Sequence, residues 1–249
     1  MRLGGVLVAF VLASALSADG SAQSGKSGDL TIFAAASLTE VLPLTDRGPR
    51  YSFGGSDQLA FQIQQGAPAD VFAAASQKYP EQLYRQGLVQ KPVPFATNTL
   101  VVLLPKSNPA GLHSVFDLTR PGVKVVIGDP SVPVGSYTRT VLDNLGIADA
   151  VLKNVVSREP DVTGIVGKVV LGQADAGFVY ATDVRPVRGK VGVIRLRESA
   201  QPHVVYEVAV VKSSTHLQAA YAFVTKLIRP AAQKRLVAYG FGPRPKPGH

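Results

Sequence analysis

An α/β fold built on mostly parallel sheets is what this chain predicts, and three observations carry the prediction. From Leu30 onward, apolar strand-like runs alternate with helix-like segments of about ten residues, the rhythm of βα units. The 24 Gly and 18 Pro in 249 residues favour many short turns over long helices. Two strand-like runs break into small residues and a serine just where a helical pattern begins, at Phe33-Ala34-Ala35-Ala36-Ser37-Leu38 and Phe53-Gly54-Gly55-Ser56-Asp57-Gln58. Hydrophobic residues make up 46% of the chain, enough for one large or two small cores.

Each element has a local reason. Leu30–Ala34 and Arg50–Phe53 read as short strands, Gln58–Gln65 as a helix stopped by Gly66, and Ala69–Ala73 as a buried strand. Gln77–Gln86 is helical and ends at Gly87. Thr99–Leu104 is a strand stopped by Pro105, and Val115–Leu118 is one helical turn. Val123–Gly128 is a strand running into Asp129-Pro130. After Val132-Pro133-Val134-Gly135 a helix runs from about Ser136 to Leu145, closed by Gly146. Val162–Leu171 is helical and Ala176–Tyr180 is a strand. Val191–Leu196 and Val204–Val211 are strands, and Leu217–Ile228 and Ala231–Tyr239 are closing helices.

Ligands on such sheets bind beyond the carboxyl ends of the strands, among loops and helix N-termini. Ala34–Leu38, Gly54–Asp57, Val132–Ser136 and the segment before Val162 lie at such junctions. A helix N-terminus offers unpaired backbone N–H groups, and a serine there adds a hydroxyl. One such end is only a cap; several directed at one point make a place for an anion. The residues alone point to a binding protein for a small oxyanion.

Composition weighs against other classes. A formal charge of +9 would suit nucleic acid or an anionic surface. The basic residues are scattered, apart from Arg244-Pro245-Lys246-Pro247, with no Lys/Arg-rich helix and no aromatic platform. The chain has no Cys, which removes disulfides, thiolate metal sites and a Cys nucleophile. A secreted serine hydrolase using Ser37 or Ser56 is the alternative from a different class. Against it, no Gly-x-Ser-x-Gly elbow is present, and His113, His203, His216 and His249 sit in no triad context or metal-binding spacing. Asp70 and Asp129 read as turn-forming carboxylates rather than ligands, and Tyr180 by itself reads as a packing residue at a strand end.

Residues 1–22 read as an export signal. Arg2 is a positive n-region, Leu3 to Leu16 is an apolar stretch too short to span a bilayer comfortably, and small residues follow, with cleavage after Ala15 or Ala22. Residues 23–29 read as a linker. No Cys follows the apolar stretch, so the expected destination is the periplasm or cell envelope without a lipid anchor on Cys. Cleavage after Ala22 removes Arg2 and Asp19 together and leaves the charge at +9.

At this point the ordered motifs resemble a known family. They are the two serine stretches above, then Gly66-Ala67-Pro68-Ala69-Asp70-Val71-Phe72, Phe95-Ala96-Thr97-Asn98 and Ile127-Gly128-Asp129-Pro130 with Val132-Pro133-Val134-Gly135. Ala174-Asp175-Ala176-Gly177-Phe178-Val179-Tyr180-Ala181-Thr182-Asp183 and Tyr239-Gly240-Phe241 complete the set. From about Leu30 to Gly242 the chain is similar to the molybdate-binding proteins of ABC-type molybdate importers, within the periplasmic binding protein class.

The resemblance implies two α/β lobes joined by crossing strands near Ala96–Leu100 and Val204–Val208, with the ligand in the cleft between them. Lobe 1 would be residues 30–97 plus 207–249 and lobe 2 residues 98–206. It implies ligand contacts from the Ser37 and Ser56 hydroxyls and backbone N–H groups, the Val134 and Val162 backbone N–H groups, and the Tyr180 phenol. These reach the metal through the oxyanion's oxygens, not by direct coordination. The cargo would be molybdate or tungstate, with no cofactor and no catalysis. The partner would be the membrane permease of an importer, with no nucleic acid and a monomeric protein. A receptor for another oxyanion such as sulfate is the alternative within the class. A donor-only site would reject protonated oxyanions, whose own O–H would meet no acceptor.

Two departures from the resemblance carry expectations. Ser37 and Ser56 are only 19 positions apart, and Pro43 lies between them. Proline inside a helix costs about 3 kcal/mol, so one or two turns at most should follow Ser37, weakening both the helix-terminus field there and the packing of lobe 1. Gly164 and Gly167 in the helix from Val162 each cost about 1 kcal/mol relative to Ala and should loosen the site.

Overall fold

The computed structural model describes residues 30–245; the export signal, the linker and the tail residues Lys246 and Pro247 lie outside them. The chain builds two mixed five-stranded sheets flanked by helices. The first sheet takes β1 (Thr31–Ala35), β2 (Arg50–Gly54), β3 (Val71–Ala74), β4 (Val93–Asn98) and the late β10 (Val204–Val210), in the order β2-β1-β3-β10-β4. The second takes β5 (Leu100–Pro105), β6 (Val125–Gly128), β7 (Val155–Glu159), β8 (Ala176–Tyr180) and β9 (Val191–Arg195), in the order β7-β6-β8-β5-β9.

In each sheet three strands run parallel, β2-β1-β3 and β7-β6-β8. An antiparallel strand then inserts, β10 in the first sheet and β5 in the second. The antiparallel share is larger than helix alternation alone predicts, because these two strands come from chain that passes between the sheets. Only Thr99 separates β4 in the first sheet from β5 in the second. β3, β5, β6, β8 and β10 are buried along their whole length, which is why they read as continuous apolar runs rather than alternating ones.

Helices α1 (Leu42–Thr45), α2 (Ser56–Gln64), α3 (Lys78–Arg85), α7 (Leu217–Leu227) and α8 (Pro230–Ala238) accompany the first sheet. α4 (Pro133–Asn144), α5 (Ala148–Lys153) and α6 (Val162–Val170) accompany the second. α4 starts at Pro133, not Ser136, since proline at the first helical position is pre-set for the turn and has no N–H to lose. α5, β7 and the 3-10 segment Ala181–Val187 are not expected from the sequence, and β4 is expected only at its end, as the crossing strand near Ala96–Leu100. β7 carries Ser157, Arg158 and Glu159 on a sheet edge with alternating exposure, and Pro94 interrupts the pattern of β4.

The segment after Ser37 is as short as expected: a 3-10 turn at Ala36–Leu38, then the single-turn α1 with Pro43 in its first turn. The expected loss of packing does not follow. Leu38, Val41 and Leu42 are essentially fully buried, so the shortened connection still fills its side of the core. Gly164 also has a reason to be glycine: a Cβ there would stand 2.8 Å from Glu159 Oε2 and 3.2 Å from Glu159 Cβ, so its absence lets α6 lie against β7. Gly167 faces open space and has no such reason.

Candidate functional site

The parallel strands of both sheets end at one cleft. β1 leads to Ser37, β2 to Ser56, β6 to Val134, β7 to Val162, and β8 ends on Tyr180. All five line the same space, together with the Gly54-Gly55 and Asp161 backbone turns and with Ala75. Three helices begin there. Ser56 is the first residue of α2 after its N-cap Gly55; Val134 is the second residue of α4, and Val162 opens α6 after its N-cap Asp161. Neither α2 nor α4 has a side chain bonded to its N-terminal N–H groups. In α6 the Asp161 carboxylate takes only the Gly164 N–H, at 3.1 Å. Free N–H groups and the positive ends of three helix dipoles therefore meet at the cleft.

Ser37 is not the N-cap of a helix: Ala35 holds that position and Ser37 sits inside the 3-10 turn. Its contribution is therefore its hydroxyl more than a helix field. That hydroxyl lies 2.8 Å from Tyr206 Oη. The Ser56 Oγ accepts the buried Ala75 N–H at 3.1 Å, so its own hydrogen is left over. Tyr180 is 2% exposed and its Oη has no hydrogen-bond partner among the described residues. Burial, with smaller contributions from Tyr206, Tyr137 and Asp183, pushes its phenol well above the usual range, so it remains an O–H donor. An unpartnered buried hydroxyl costs free energy unless something accepts from it. Among the described residues no Lys or Arg lines this space, and Asp161 is its one carboxylate. The arrangement can hold an anion rich in acceptor atoms by neutral donors alone.

Asn98, Ala75 and Tyr206 support the site and were given no role from the sequence. A tyrosine and a glutamate inside the apolar run Val-Val-Tyr-Glu-Val-Ala-Val of β10 were the available signal. Asp70 anchors the other end of the first sheet, accepting from Thr31 N at 2.7 Å and from Ser214 Oγ at 2.5 Å. It also meets His216 Nδ1 at 3.2 Å. This Ser–Asp–His grouping places the carboxylate, not the imidazole, on the serine proton, so it lacks the serine–base contact of a hydrolase. Among the described residues neither Ser37 nor Ser56 bonds a histidine.

The chain is similar to known proteins over most of its length. A profile of the bacterial extracellular solute-binding proteins matches residues 49–242. The molybdate-binding protein ModA of Mycobacterium tuberculosis is 38% identical over 97% of this chain and 94% of its own length. ModA of Escherichia coli K12 is 32% identical over 86% and 89%. Among solved structures, the periplasmic molybdate-binding protein of Azotobacter vinelandii superposes with a TM-score of 0.76, covering 88% of this chain and 100% of its own at 23% identity. That last likeness is one of fold.

Proposed function

The chain belongs to the bacterial extracellular solute-binding protein family, and we propose that within it this member captures molybdate or tungstate and hands it to the membrane permease of an importer. One observation carries the reading: Ser37, Ser56, Val134, Val162 and Tyr180 line one cleft, where three helix N-termini and hydroxyl donors converge with no lining cation among the described residues. A tetrahedral dianion offers only acceptors and needs donors from several directions, which such a cleft can supply. The molybdate-binding names of the relatives in mycobacteria and enterobacteria support the same ligand.

The protein acts as a monomeric, non-catalytic carrier in the periplasm or cell envelope. Its moving bodies are the half built on the first sheet and the half built on the second, which close on the anion and present the closed form to the permease. Neutral donors keep the bound charge uncompensated by any lysine or arginine, so discrimination rests on cavity size and on the anion's protonation. Sulfate is smaller and leaves donors out of reach, and phosphate brings a proton that the helix-terminal N–H donors cannot accept. Calorimetric titration of the protein from Ser21 with molybdate, tungstate, sulfate and phosphate tests this. Tight 1:1 binding of the first two with much weaker sulfate and phosphate is the expected result. Tight sulfate binding with weak molybdate would make it a sulfate receptor instead.

A further inference from the structure

We propose that Tyr206 is a positioning residue that sets anion selectivity, holding the Ser37 hydroxyl as a donor through a hydrogen-bond chain that begins at Asn98. The proposal rests on the oxyanion reading above and adds the means by which one of its donors is made directional.

The direction of the chain follows from its fixed end. Asn98 Oδ1 accepts the Thr99 N–H at 2.9 Å, which settles which side of the amide is oxygen. Its Nδ2 then donates to Thr182 Oγ1 at 3.0 Å and to Tyr206 Oη at 3.3 Å. Tyr206 is fully buried, and burial pushes its phenol well above the usual range, so the oxygen keeps its proton. With one lone pair of Oη taken by Asn98, the phenol proton goes to its other partner, Ser37 Oγ at 2.8 Å. Ser37 thereby accepts from inside the protein, and its own hydrogen is free for the cleft.

The same side chain touches the other half of the site. The Tyr206 ring meets the Tyr180 ring edge-on at 5.8 Å and packs edge-on against Phe95 at 6.0 Å and Phe241 at 5.4 Å. Asn98 ends β4 opposite Val204, and Tyr206 lies two residues further along β10 opposite Ala96, so the two are diagonal neighbours across that strand pair. Strand register therefore fixes both members of the chain. With one of its two lone pairs engaged by Tyr206, the Ser37 hydroxyl is oriented to present its hydrogen to the cleft and so meets an anion as a donor. Freed of Tyr206, the Ser37 hydroxyl could rotate and accept from a protonated phosphate.

The test is a double-mutant cycle of Tyr206→Phe and Ser37→Ala, with molybdate and phosphate affinities measured by calorimetry and folding checked by thermal melts. Tyr206→Phe keeps the ring packing and removes only the hydroxyl. It is expected to weaken molybdate about tenfold, leave phosphate equal or tighter, and so raise the phosphate-to-molybdate affinity ratio by tenfold or more. In the Ser37→Ala background the same change should leave that ratio unmoved, which a packing role would not predict. Asn98→Asp replaces the donating amide with an acceptor, draws the Tyr206 proton away from Ser37 and should weaken molybdate at least as much. An unchanged ratio in Tyr206→Phe, or an equal shift with and without Ser37, overturns the proposal. If wild type binds sulfate but no molybdate, the molybdate reading fails and the cycle is run with sulfate in its place. If wild type binds no oxyanion, both fall.

Discussion

A single oxygen on Ser56 serves the fold and the proposed site together. Its lone pair takes the Ala75 N–H at the end of β3, and its hydrogen remains for a ligand. Ser56→Ala should therefore fail twice. Losing a donor to a charged group costs about 1.5–3 kcal/mol, roughly a tenfold to hundredfold loss of affinity, and the orphaned Ala75 N–H costs about 1–3 kcal/mol of stability. Calorimetry and urea unfolding separate the two losses. Asp183 is a buried carboxyl whose charge state matters to the fold. Burial, offset by the Tyr180 N–H at 2.9 Å but reinforced by Asp161 and Glu40, pushes its carboxyl up to about 8. A group held protonated in the folded state stabilises fully below the ordinary carboxylate range, and that contribution is lost as pH rises through about 8. Asp183→Asn should remove this decline. Between pH 5 and 8 the wild type should lose on the order of 2–4 kcal/mol more than the variant, read from urea unfolding at the two pH values.

Secondary-structure elements divide into those the chain announces and those that depend on distant partners. α2, α6 and β8 were legible because their apolar spacing and glycine stops are local. β7 was not, because an edge strand with Ser157, Arg158 and Glu159 owes its pairing to β6 and not to its own pattern. The site was legible at its five lining positions through ordered motifs, but Tyr206 and Asn98 act across 108 positions of sequence and only the fold brings them together. Helix glycines show the same division. In α4, a Cβ on Gly135 would collide with the Asp129 carbonyl and stand 2.6 Å from Gly128 O. In α6, a Cβ on Gly167 would meet nothing within 4 Å. The two Gly→Ala changes should thus have opposite signs. Gly135→Ala should cost about 1–3 kcal/mol or more, because backbone cannot step aside, while Gly167→Ala should gain about 0.5–1 kcal/mol from helix propensity. Thermal melts of the pair decide it; two changes of the same sign would mean that α4 can shift off β6 at little cost.

Across the whole molecule, the two sheets meet through a small set of contacts around the cleft. Ser131, after β6, donates its hydroxyl to Asp57 Oδ2 in α2 at 2.6 Å, and its carbonyl accepts from the Tyr79 hydroxyl of α3. Gly55 lies directly against the Pro160 carbonyl from the other half. Its φ of −63° and ψ of 135° suit any residue, so glycine is required there by closeness and not by backbone conformation. A Cβ at this position would strike the Pro160 backbone, which follows β7 of the second sheet, and would also come 2.7 Å from Asp57 Oδ1, the end of a side chain that can turn away. Gly55→Ala should accordingly leave each lobe folded and penalise only their approach. If the approached form is the one that binds, affinity falls in proportion to its lost population. The expected outcome is a melting temperature without ligand close to wild type, molybdate binding weakened tenfold or more, and a radius of gyration by X-ray scattering that stays larger than wild type at sub-saturating molybdate. A variant as compact and as tight-binding as wild type would mean that the Gly55–Pro160 contact is not part of the binding form, and that the cleft grips its anion with the lobes further apart than they stand here.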